Sequence, residues 1–446
     1  MAKTEKIKYL IIGNSAGGIG AAEAIRELDS AGTMAIVSDE PYPAYSRPLI
    51  SEHLFEGRPL EKMLYRPADF YEKNKIQTLF GEKVAEIDYS AHSLRLESGR
   101  TLNWQKLLLA TGGSPIVPKL DGGDAKGVFT FTRLDDANAI DAFLNKRQGE
   151  TKALVIGGGL IGVSASEALV KRGVKVTIVE MKDWVLNTIL DEEAAALEAK
   201  ALAAADIEII TGHTVSKINK NSSGAVSGAA LDDGRNIAAD LVVVAIGVSP
   251  RLDLADGLKT NRGIVVDRRM QTSVPDVYAC GDVAEAYDFV YDENRVTPVW
   301  PNAYVGGRVA GQNMAGSKAE YQGGTAMNSL KYFGVNIVSA GMVSAPAKGY
   351  EVLSYRGDGI YRKVILKGGL ITGLVFAGDI EKSGIVYNLM KDKVNVSGFK
   401  GELVSDDFGL ASLPEELWRA RVEMPPSEAA HIVPLKEKAE ESVIGE

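Results

Sequence analysis

Three glycines, Gly157, Gly159 and Gly162, form the pattern in this sequence that points most directly to chemistry. They follow a short apolar run, residues 153–156, and precede a segment with helical spacing. In a GxGxxG turn the first glycine permits a tight bend, the second lets the backbone approach a pyrophosphate, and the third allows close packing of helix on strand. Unpaired N–H groups at the start of the helix then bind the phosphates. The spacing therefore predicts a dinucleotide-binding site.

An acidic residue downstream indicates which dinucleotide binds at this turn. The next apolar run, residues 175–179, ends in Glu180, where a carboxylate typically binds ribose hydroxyls. This carboxylate would repel a 2′-phosphate, and the residues that follow are not the arginine cluster that NADP(H) requires. NAD(H) is therefore predicted, although Lys182 leaves NADP(H) open. The further residues expected around this nucleotide are Leu160, Ile161, Ile246 and Gly247.

A similar turn near the amino terminus departs from the pattern. Gly13 and Gly18 keep their places, but Ser15 replaces the middle glycine. A small hydroxyl residue could still permit the approach of a phosphate and donate to it. Asp39 is the expected ribose ligand, with Glu40 as its competitor. Taken alone, this turn is open to a second interpretation, a degenerate and empty copy.

The two turns belong to a longer internal repeat. In each half a hairpin signal, at residues 97–100 or 232–235, leads into an apolar strand followed by a glycine and a proline. One offset of 135 positions relates Gly99 to Gly234, Gly112 to Gly247 and Pro115 to Pro250. The repeat predicts an α/β fold of two tandem Rossmann-like domains, each with an inserted β-meander. Short strands and glycine turns from residue 321 to about 412 predict a third, α+β domain.

Composition excludes several classes of protein. The net charge of −9 and the absence of a basic block argue against a nucleic-acid partner. No apolar run approaches the roughly 18 residues of a membrane span, and the apolar start at residues 9–12 indicates a buried strand rather than a signal peptide. The four histidines lie far apart, so no metal site is predicted. The default compartment is the cytoplasm.

The single cysteine, Cys280, restricts the redox chemistry. One thiol excludes an internal disulfide, a CxxC pair and an iron–sulfur cluster held by this chain alone. Cys280 begins the motif CGDVAE at residues 280–285. Together with the turn at residues 13–18, Thr111–Gly112 and residues 247–250, this motif resembles the two-dinucleotide flavoprotein reductases of the pyridine nucleotide–disulfide oxidoreductase superfamily. In that family the aspartate of the GD motif binds the ribityl chain of FAD, so the resemblance implies this role for Asp282 and an FAD site at the first turn.

A second motif suggests the branch of this superfamily. YSRPLIS at residues 45–51 is similar to the YxRPxLS signature of rubredoxin reductases, ferredoxin reductases and the FAD region of assimilatory nitrite reductases. The relatives that use a redox cysteine carry it in this region, whereas this chain has Ser46 nearby and no thiol. Cys280 is expected to be a packing residue. The full set of FAD contacts that the motifs imply is Gly13, Ser15, Ala16, Gly17, Gly18, Asp39, Glu40, Arg47, Pro48, Ala110, Thr111, Gly112, Gly281, Asp282 and Trp300.

Two departures from the branch could tune the flavin. Glu52 stands where ferredoxin reductases usually have a lysine near flavin N5, and Ser164 stands where a glutamate often pairs with that lysine. An anion near the flavin would lower its potential, so we hypothesise a flavin that passes electrons to NAD⁺ as well as receiving them. The alternative is that Glu52 faces solvent. Trp300 is expected either to shield the flavin, to lie on the path to a partner, or to serve as a packing anchor.

The resemblance also implies a domain plan and a partner. The FAD-binding domain is expected at residues 1–119 and 246–320, the NAD(H) domain at 120–245, the interface domain at 321–412 and an arm at 413–446. Hydride would pass between NAD(H) and FAD, and single electrons would pass to or from a rubredoxin, a ferredoxin or an iron–sulfur subunit. The chain is expected to be a homo-oligomer or a subunit of a larger complex. The alternatives are a stand-alone NADH oxidase or peroxidase, and a flavin-binding structural or regulatory subunit.

Overall fold

The structure of the protein is a computed structural model that describes residues 5–422. Residues 423–446, most of the predicted arm, lie outside the described residues. In the first quarter of the chain the elements are β1 (Glu5–Ile12), α1 (Ala16–Leu28), β2 (Met34–Ser38), α2 (Ile50–Glu56), α3 (Phe70–Lys73), β3 (Ile76–Phe80), β4 (Val84–Asp88), β5 (Ser93–Leu96), β6 (Thr101–Leu109) and β7 (Gly113–Pro115).

The second half of the repeat follows the same order of elements. Its elements are β8 (Val128–Phe129), α4 (Leu134–Leu144), β9 (Lys152–Ile156), α5 (Leu160–Lys171), β10 (Lys175–Glu180), α6 (Glu192–Ala204), β11 (Glu208–Thr211), β12 (Val215–Lys220), β13 (Val226–Leu231), β14 (Asn236–Ile237), β15 (Leu241–Val244) and β16 (Val248–Pro250).

The remaining third completes the first unit and then forms a separate sheet. Its elements are β17 (Ile264–Val265), β18 (Val277–Ala279), β19 (Ala284–Asp288), β20 (Glu293–Val296), α7 (Trp300–Met314), β21 (Met327–Tyr332), β22 (Val335–Gly341), β23 (Tyr350–Gly357), β24 (Ile360–Lys367), β25 (Leu370–Ala377), α8 (Ser383–Lys391) and α9 (Glu415–Val422). Short 3₁₀ turns lie at Arg47–Leu49, Leu60–Lys62, Gly281–Val283, Lys400–Glu402 and Leu410–Ser412.

A seven-stranded sheet forms the first unit. Its order is β3-β2-β1-β6-β5-β4, and β18 pairs in parallel with β6. Every residue of β2 is buried, as expected of a parallel strand covered on both faces. Helices α1 and α7 cross each other at very short range. A Cβ at Gly307 of α7 would lie only 2.1 Å from the Gly17 carbonyl oxygen of α1. Small residues are therefore required where these helices meet.

The second unit repeats this plan. Its parallel strands lie in the order β11-β10-β9-β15-β8, and β12-β13-β14 form the inserted meander. The repeated segments also meet each other, since β16 pairs antiparallel with β7 through Val248 with Pro115 and Pro250 with Gly113. The related strand ends thereby form a ribbon that joins the two units.

The third unit is an antiparallel sheet in the order β21-β22-β25-β24-β23. Its core, which includes Val364, Leu374 and Phe376, is packed with residues of α8. The predicted fold class, two Rossmann-like units with meanders and a C-terminal α+β unit, is confirmed. None of the helices within residues 5–422 has the length and apolar character needed to cross a membrane.

Candidate functional site

Both glycine turns open onto the same cavity, which has a volume of about 1240 Å³. The first turn lies at the carboxyl end of β1 and the second at that of β9, the edge at which parallel α/β sheets bind ligands. Residues of the third unit, from Ala326 to Leu330 together with Tyr332, supply a further wall. We call the two glycine turns, at residues 13–18 and 157–162, the first and second cradle. The repeat thus brings these two cradles, more than 140 positions apart in sequence, to one site.

Each turn requires its first glycine. Gly13 has φ +118° and Gly157 has φ +104°, a region that side chains rarely adopt. A Cβ on Gly13 would lie 2.1 Å from the Ala110 carbonyl oxygen, and one on Gly157 would lie 2.5 Å from that of Ala245. The chain can bend so sharply here only because these residues have no side chain.

The last glycine of each turn serves packing. A Cβ at Gly18 would lie 2.0 Å from the Gly13 carbonyl oxygen, and one at Gly162 would lie 1.9 Å from that of Gly157. Neither Gly18 nor Gly162 is part of the cavity wall. These two residues therefore allow each helix to start directly against its strand.

The middle positions leave the helix starts accessible. Ser15 caps α1 and Gly159 caps α5, both in extended conformation and without a side-chain capping bond. A Cβ at Gly159 would contact nothing within 4 Å, and the position faces the cavity. Ala16, Gly17, Leu160 and Ile161 line the cavity just beyond. The backbone N–H groups in the first turn of each helix have no partner within the helix, and at these helix starts they suit an anionic ligand.

Glu180 is held by the second turn itself. Its carboxylate accepts hydrogen bonds from the backbone N–H of Gly158 at 2.7 Å and of Lys182 at 2.8 Å. Only 8% of its surface is exposed, yet it borders the cavity. The backbone thus orients a carboxylate toward the place that the sequence assigned to a ribose.

In the first unit the acidic residue that borders the cavity stands one position further along the chain than Glu180 does in the second unit. Ile12 pairs with Val37 as Ile156 pairs with Val179, so Ser38 has the register position of Glu180. Asp39, the next residue, borders the cavity and pairs with Arg133 at 3.1 Å and Arg251 at 3.0 Å. Burial disfavours ionisation of Asp39, but the two guanidinium groups outweigh it and lower its pKa.

Glu40 has a supporting role. It is 5% exposed and accepts a hydrogen bond from the Tyr45 hydroxyl at 2.6 Å, and it also forms an ion pair with Arg47. Arg47 further donates to the Thr132 carbonyl oxygen at 3.2 Å. Because both oxygens of Glu40 are engaged, Asp39 is the better placed of the two for a ligand, while Arg47 is fixed at the cavity wall.

The carboxyl of Asp282 borders the cavity and is hydrogen-bonded to the backbone N–H of Asp282 itself. It follows Gly281, whose φ of +74° bends the chain after β18. Within residues 5–422 it makes no hydrogen bond to another side chain, and burial raises its pKa although the Arg47 guanidinium opposes this. A ligand rich in hydroxyl groups would satisfy it.

Nearly all of the other predicted residues also line the cavity, namely Pro48, Ala110, Thr111, Gly112, Ser164, Ile246, Gly247 and Trp300. Trp300 is the first residue of α7 and packs edge-to-face on Tyr65, with ring centroids 5.0 Å apart. Trp300 is therefore both an anchor and part of the wall.

Glu52 is an exception. It lies in the first turn of α2, is not part of the cavity wall and forms an ion pair with Arg58 at 2.8 Å. Since its charge is compensated there, Glu52 does not place an unpaired anion in this cavity. The hypothesis that it lowers a flavin potential loses its structural basis, although the paired oxygen of Glu52 is buried and does not face solvent.

Three wall residues escaped the motif analysis. Arg133 and Arg251 meet Asp39 from segments 94 and 212 positions away, and no local pattern marked them. Tyr332 comes from the third unit. Its alternation with Leu330 along β21 was the available signal, because such residues share one face of a strand.

Cys280 and the histidines supply no site chemistry. Cys280 is fully buried, and burial, assisted by the Asp282 carboxylate, raises the pKa of its thiol to about 12. A Cβ at Gly17 would lie 2.7 Å from its sulfur, so Cys280 packs directly against α1. The structure brings His213 beside Asp232 and Asp233 on the surface, a proximity that the sequence spacing did not reveal.

The two cradles, the ribose-directed carboxylates and the GD turn define a protein that binds two dinucleotides. Residues 7–307 match the family model for pyridine nucleotide–disulphide oxidoreductases, and residues 327–394 match the C-terminal domain of rubredoxin NAD⁺ reductase. The chain belongs to the pyridine nucleotide–disulphide oxidoreductase family, whose members bind FAD and NAD(H), and it is an FAD-dependent oxidoreductase.

Individual relatives agree with this assignment. The chain is 30% identical over 423 residues to the epsilon subunit of NADH-dependent phenylglyoxylate dehydrogenase from Aromatoleum evansii, covering 93% of this chain and 99% of that one. It is 31% identical to the assimilatory nitrate reductase electron transfer subunit of Bacillus subtilis, covering 90% of this chain but only 52% of the relative. The structure of NADH:rubredoxin oxidoreductase from Clostridium acetobutylicum superposes with a TM-score of 0.72 at 27% identity, covering 90% of this chain and 99% of that one.

Asp282→Asn is expected to weaken FAD binding by about tenfold or more. A hydrogen bond to a charged group contributes about 1.5–3 kcal/mol, and the amide would lose that charge. The measurement is FAD affinity of the apoprotein, followed by quenching of flavin fluorescence. Asp256→Asn, at an exposed residue outside the cavity, is the matched control. Equal affinities in both variants would remove Asp282 from the FAD site.

Proposed function

We propose that this protein transfers electrons between NAD(H) and an iron–sulfur protein through one bound FAD. FAD would occupy the first cradle, with Asp39, Arg47 and Asp282 as its polar contacts. NAD(H) would occupy the second cradle, with Glu180 on its ribose. The domain plan proposed for this is residues 1–119 with 246–320 for FAD, 120–245 for NAD(H) and 321–412 for the interface.

A single observation carries the proposal: two dinucleotide cradles share one cavity that offers no reactive thiol. The only cysteine is fully buried, and its pKa of about 12 keeps it protonated at neutral pH. Reactions of a redox cysteine require a thiolate that the substrate can reach. Disulfide reduction and cysteine-based peroxide reduction are therefore disfavoured. This favours a reaction in which electrons leave the bound flavin directly, without a thiol intermediate.

The chemistry is simple in its balance. NADH would deliver a hydride, and two oxidised one-electron carriers would each receive one electron, releasing NAD⁺ and one proton. Bound FAD supplies the ability to accept electrons in pairs and release them singly. The residues of the chain bind and orient the two nucleotides and exclude water from the apolar wall formed by Leu160, Ile161 and Trp300.

Two considerations support an iron–sulfur partner. One cysteine cannot hold such a cluster, so the one-electron carrier must be another protein or subunit. The residues 327–394 match the C-terminal domain of rubredoxin NAD⁺ reductase, and one relative is named as an electron transfer subunit and another as a subunit of an NADH-dependent dehydrogenase. We also propose that the chain works as part of a larger complex or a homo-oligomer, and that it does so in the cytoplasm.

The test has two steps. NADH is added anaerobically to the holoprotein, and we expect the flavin absorbance to bleach within about one second of mixing. Oxidised rubredoxin, a ferredoxin or air-saturated buffer is then mixed with the reduced protein. Reoxidation at least about tenfold faster with an iron–sulfur protein than with oxygen is the expected result.

The controls separate the alternatives. Cys280→Ser is expected to leave both steps unchanged, because the thiol takes no part. Failure of NADH to bleach the flavin would contradict the proposal and favour a structural or regulatory subunit. Reoxidation that is fastest with oxygen would contradict it in favour of an NADH oxidase.

A further inference from the structure

One face of helix α6 packs against the sheet of the third unit. The buried residues Ala194 and Leu202 of α6 share a hydrophobic cluster with Ile337 of β22 and Val375 of β25. Glu198 lies on the same face of the helix, since it follows Ala194 by four residues and precedes Leu202 by four. It is 0% exposed. A carboxyl group therefore stands at an apolar boundary between two units.

No partner compensates this carboxyl group among the described residues. Neither oxygen of Glu198 accepts a hydrogen bond, and the strands of the third unit against which α6 packs, β22 and β25, contain no ionisable side chain. Burial, assisted by the Glu167 charge on α5, raises the pKa of Glu198 to about 8. The nearby Tyr332 phenol is neutral, because burial raises its pKa to about 12. The closed packing thus favours a protonated Glu198.

The start of α6 is attached to the third unit through polar contacts. Asp191 accepts a hydrogen bond from the Tyr361 hydroxyl at 2.7 Å and forms an ion pair with Lys363. Glu193 forms an ion pair with Arg356. These contacts tie strands β23 and β24 to the second unit, and none of them involves Glu198.

A second attachment holds the hairpin between β21 and β22 on α5. The backbone N–H of Phe333, at the tip of this hairpin, donates to the Glu167 carboxylate at 3.3 Å, and Lys171 pairs with the same carboxylate at 3.2 Å. The exposed ionisable residues of α6 and of the neighbouring strands are Glu192, Lys200, Glu208 and Lys331. Glu198 therefore lies between two attachments, and within the described residues the charge that acts on it is that of Glu167.

The sheet that packs on α6 is also a wall of the cavity. Met327, Leu330 and Tyr332 of β21 line the cavity, and β21 pairs with β22, against which α6 packs. A charged Glu198 could reach water only if this packing opened, because a carboxylate at an apolar boundary beside a second negative charge is strongly disfavoured. Movement of β22 away from α6 would take β21 with it and open the cavity.

We propose that Glu198 is a proton-dependent latch between the second and third units. With its proton it lets the sheet close on α6 and complete the cavity wall, and without its proton the hairpin of β21 and β22 opens. The ion pairs of Asp191 and Glu193 do not depend on this proton, so they would keep β23 and β24 attached. The latch acts on the cavity whichever electron carrier the protein uses, and it makes access to the cavity depend on pH.

The pH range of the latch follows from the two forms of Glu198. The closed form holds its proton up to about pH 8, whereas an open form with the side chain in water releases it near pH 4.5. Opening therefore releases one proton, and its equilibrium constant should rise about tenfold for each pH unit within this range. Above pH 8 both forms are ionised, and the constant should level off.

Amide hydrogen exchange of the holoprotein, read by mass spectrometry, tests the latch. Rates in peptides of β21 and β22 are divided by those of unprotected amides, which yields the opening constant of this hairpin. We expect it to increase about 100-fold between about pH 5.5 and about pH 7.5. Peptides of β1 and β2 report unfolding of the whole chain and should stay more strongly protected at each pH. Equal protection of the two regions would overturn the proposal, because the hairpin would then open only when the chain unfolds.

Three variants assign the effect to Glu198. Glu198→Gln stays neutral at every pH, so its opening constant should not change with pH. Glu167→Gln removes the like charge and should reach its plateau at a lower pH than the native protein. Glu192→Gln, at an exposed residue of the same helix, is the matched control and should follow the native curve. The same rise in Glu198→Gln as in the native protein would contradict the proposal. Hydrogen exchange requires no NADH, so failure of the proposed electron transfer would not alter this outcome.

Discussion

Replacing Gly159 with valine should weaken NADH binding by about 100-fold or more without unfolding the protein. The free protein has room for the side chain, since a Cβ there meets nothing within 4 Å and the backbone is extended, with φ −79°. The space that the side chain would take is where the pyrophosphate must approach the N–H groups of α5. Loss of two charge-assisted hydrogen bonds, each contributing about 1.5–3 kcal/mol, accounts for the expected magnitude. The measurement is the KM for NADH with a saturating acceptor. The FAD content and the Tm are measured on the same samples to show that the protein remains folded.

Gly162→Ala provides the contrasting result. Its Cβ would lie 1.9 Å from the Gly157 carbonyl oxygen, so the helix must shift even when no nucleotide is bound. We expect Tm to fall for Gly162→Ala and to stay nearly constant for Gly159→Val. A Gly159→Val protein with unchanged KM and Tm would show that the pyrophosphate does not bind at this turn.

The glycine turns could be predicted because glycine is required for a steric reason that acts locally. Gly13 and Gly157 stand where φ is positive, and Gly18 and Gly162 stand where a Cβ would meet a backbone oxygen. The identity of the residue therefore reports the geometry of the backbone. The same reasoning predicted both βαβ units and their common repeat.

Residues that meet across the chain could not be predicted in this way. Arg251 reaches Asp39 across 212 positions, and an isolated arginine after a strand has many possible partners. The misplacement of Glu52 has the same origin: its position was aligned by motif, but whether a side chain on α2 faces the cavity depends on how that helix packs against α4 and α5. Its actual partner, Arg58, lies only six positions away.

The strand positions of Asp39 and Glu180 show a further limit of prediction from sequence. Ser38 occupies the strand position that Glu180 occupies in the second unit, and the acid that faces the cavity is the next residue, Asp39. Two homologous strands thus deliver a carboxylate to their cradles from different positions. The arginines that neutralise Asp39 are part of this difference, and they come from segments that the local motif does not include.

Glu198→Gln should make the protein more stable at alkaline pH and should flatten its pH dependence. Glu198 lies on α6, is fully buried, and neither carboxylate oxygen has a hydrogen-bond partner among the described residues. Burial, with a smaller contribution from the Glu167 charge, raises its pKa from 4.5 to about 8. The folded protein therefore retains a proton that the unfolded chain loses above pH 4.5. Stability from this group is full below pH 4.5 and declines as pH rises toward 8.

The expected size of this loss is about 3–5 kcal/mol, from roughly 1.36 kcal/mol for each pKa unit. It is measured as the free energy of unfolding in urea between pH 5 and pH 9. Glu192→Gln, at an exposed residue of the same helix, should follow the native curve. Glu167→Gln should lie between the two, because it removes only the smaller cause of the shift. Parallel curves for the native protein and Glu198→Gln would mean that Glu198 ionises freely in the folded state. A confirmed slope would show that the loss of stability at alkaline pH arises from Glu198, buried on α6 and close to the Glu167 charge on α5.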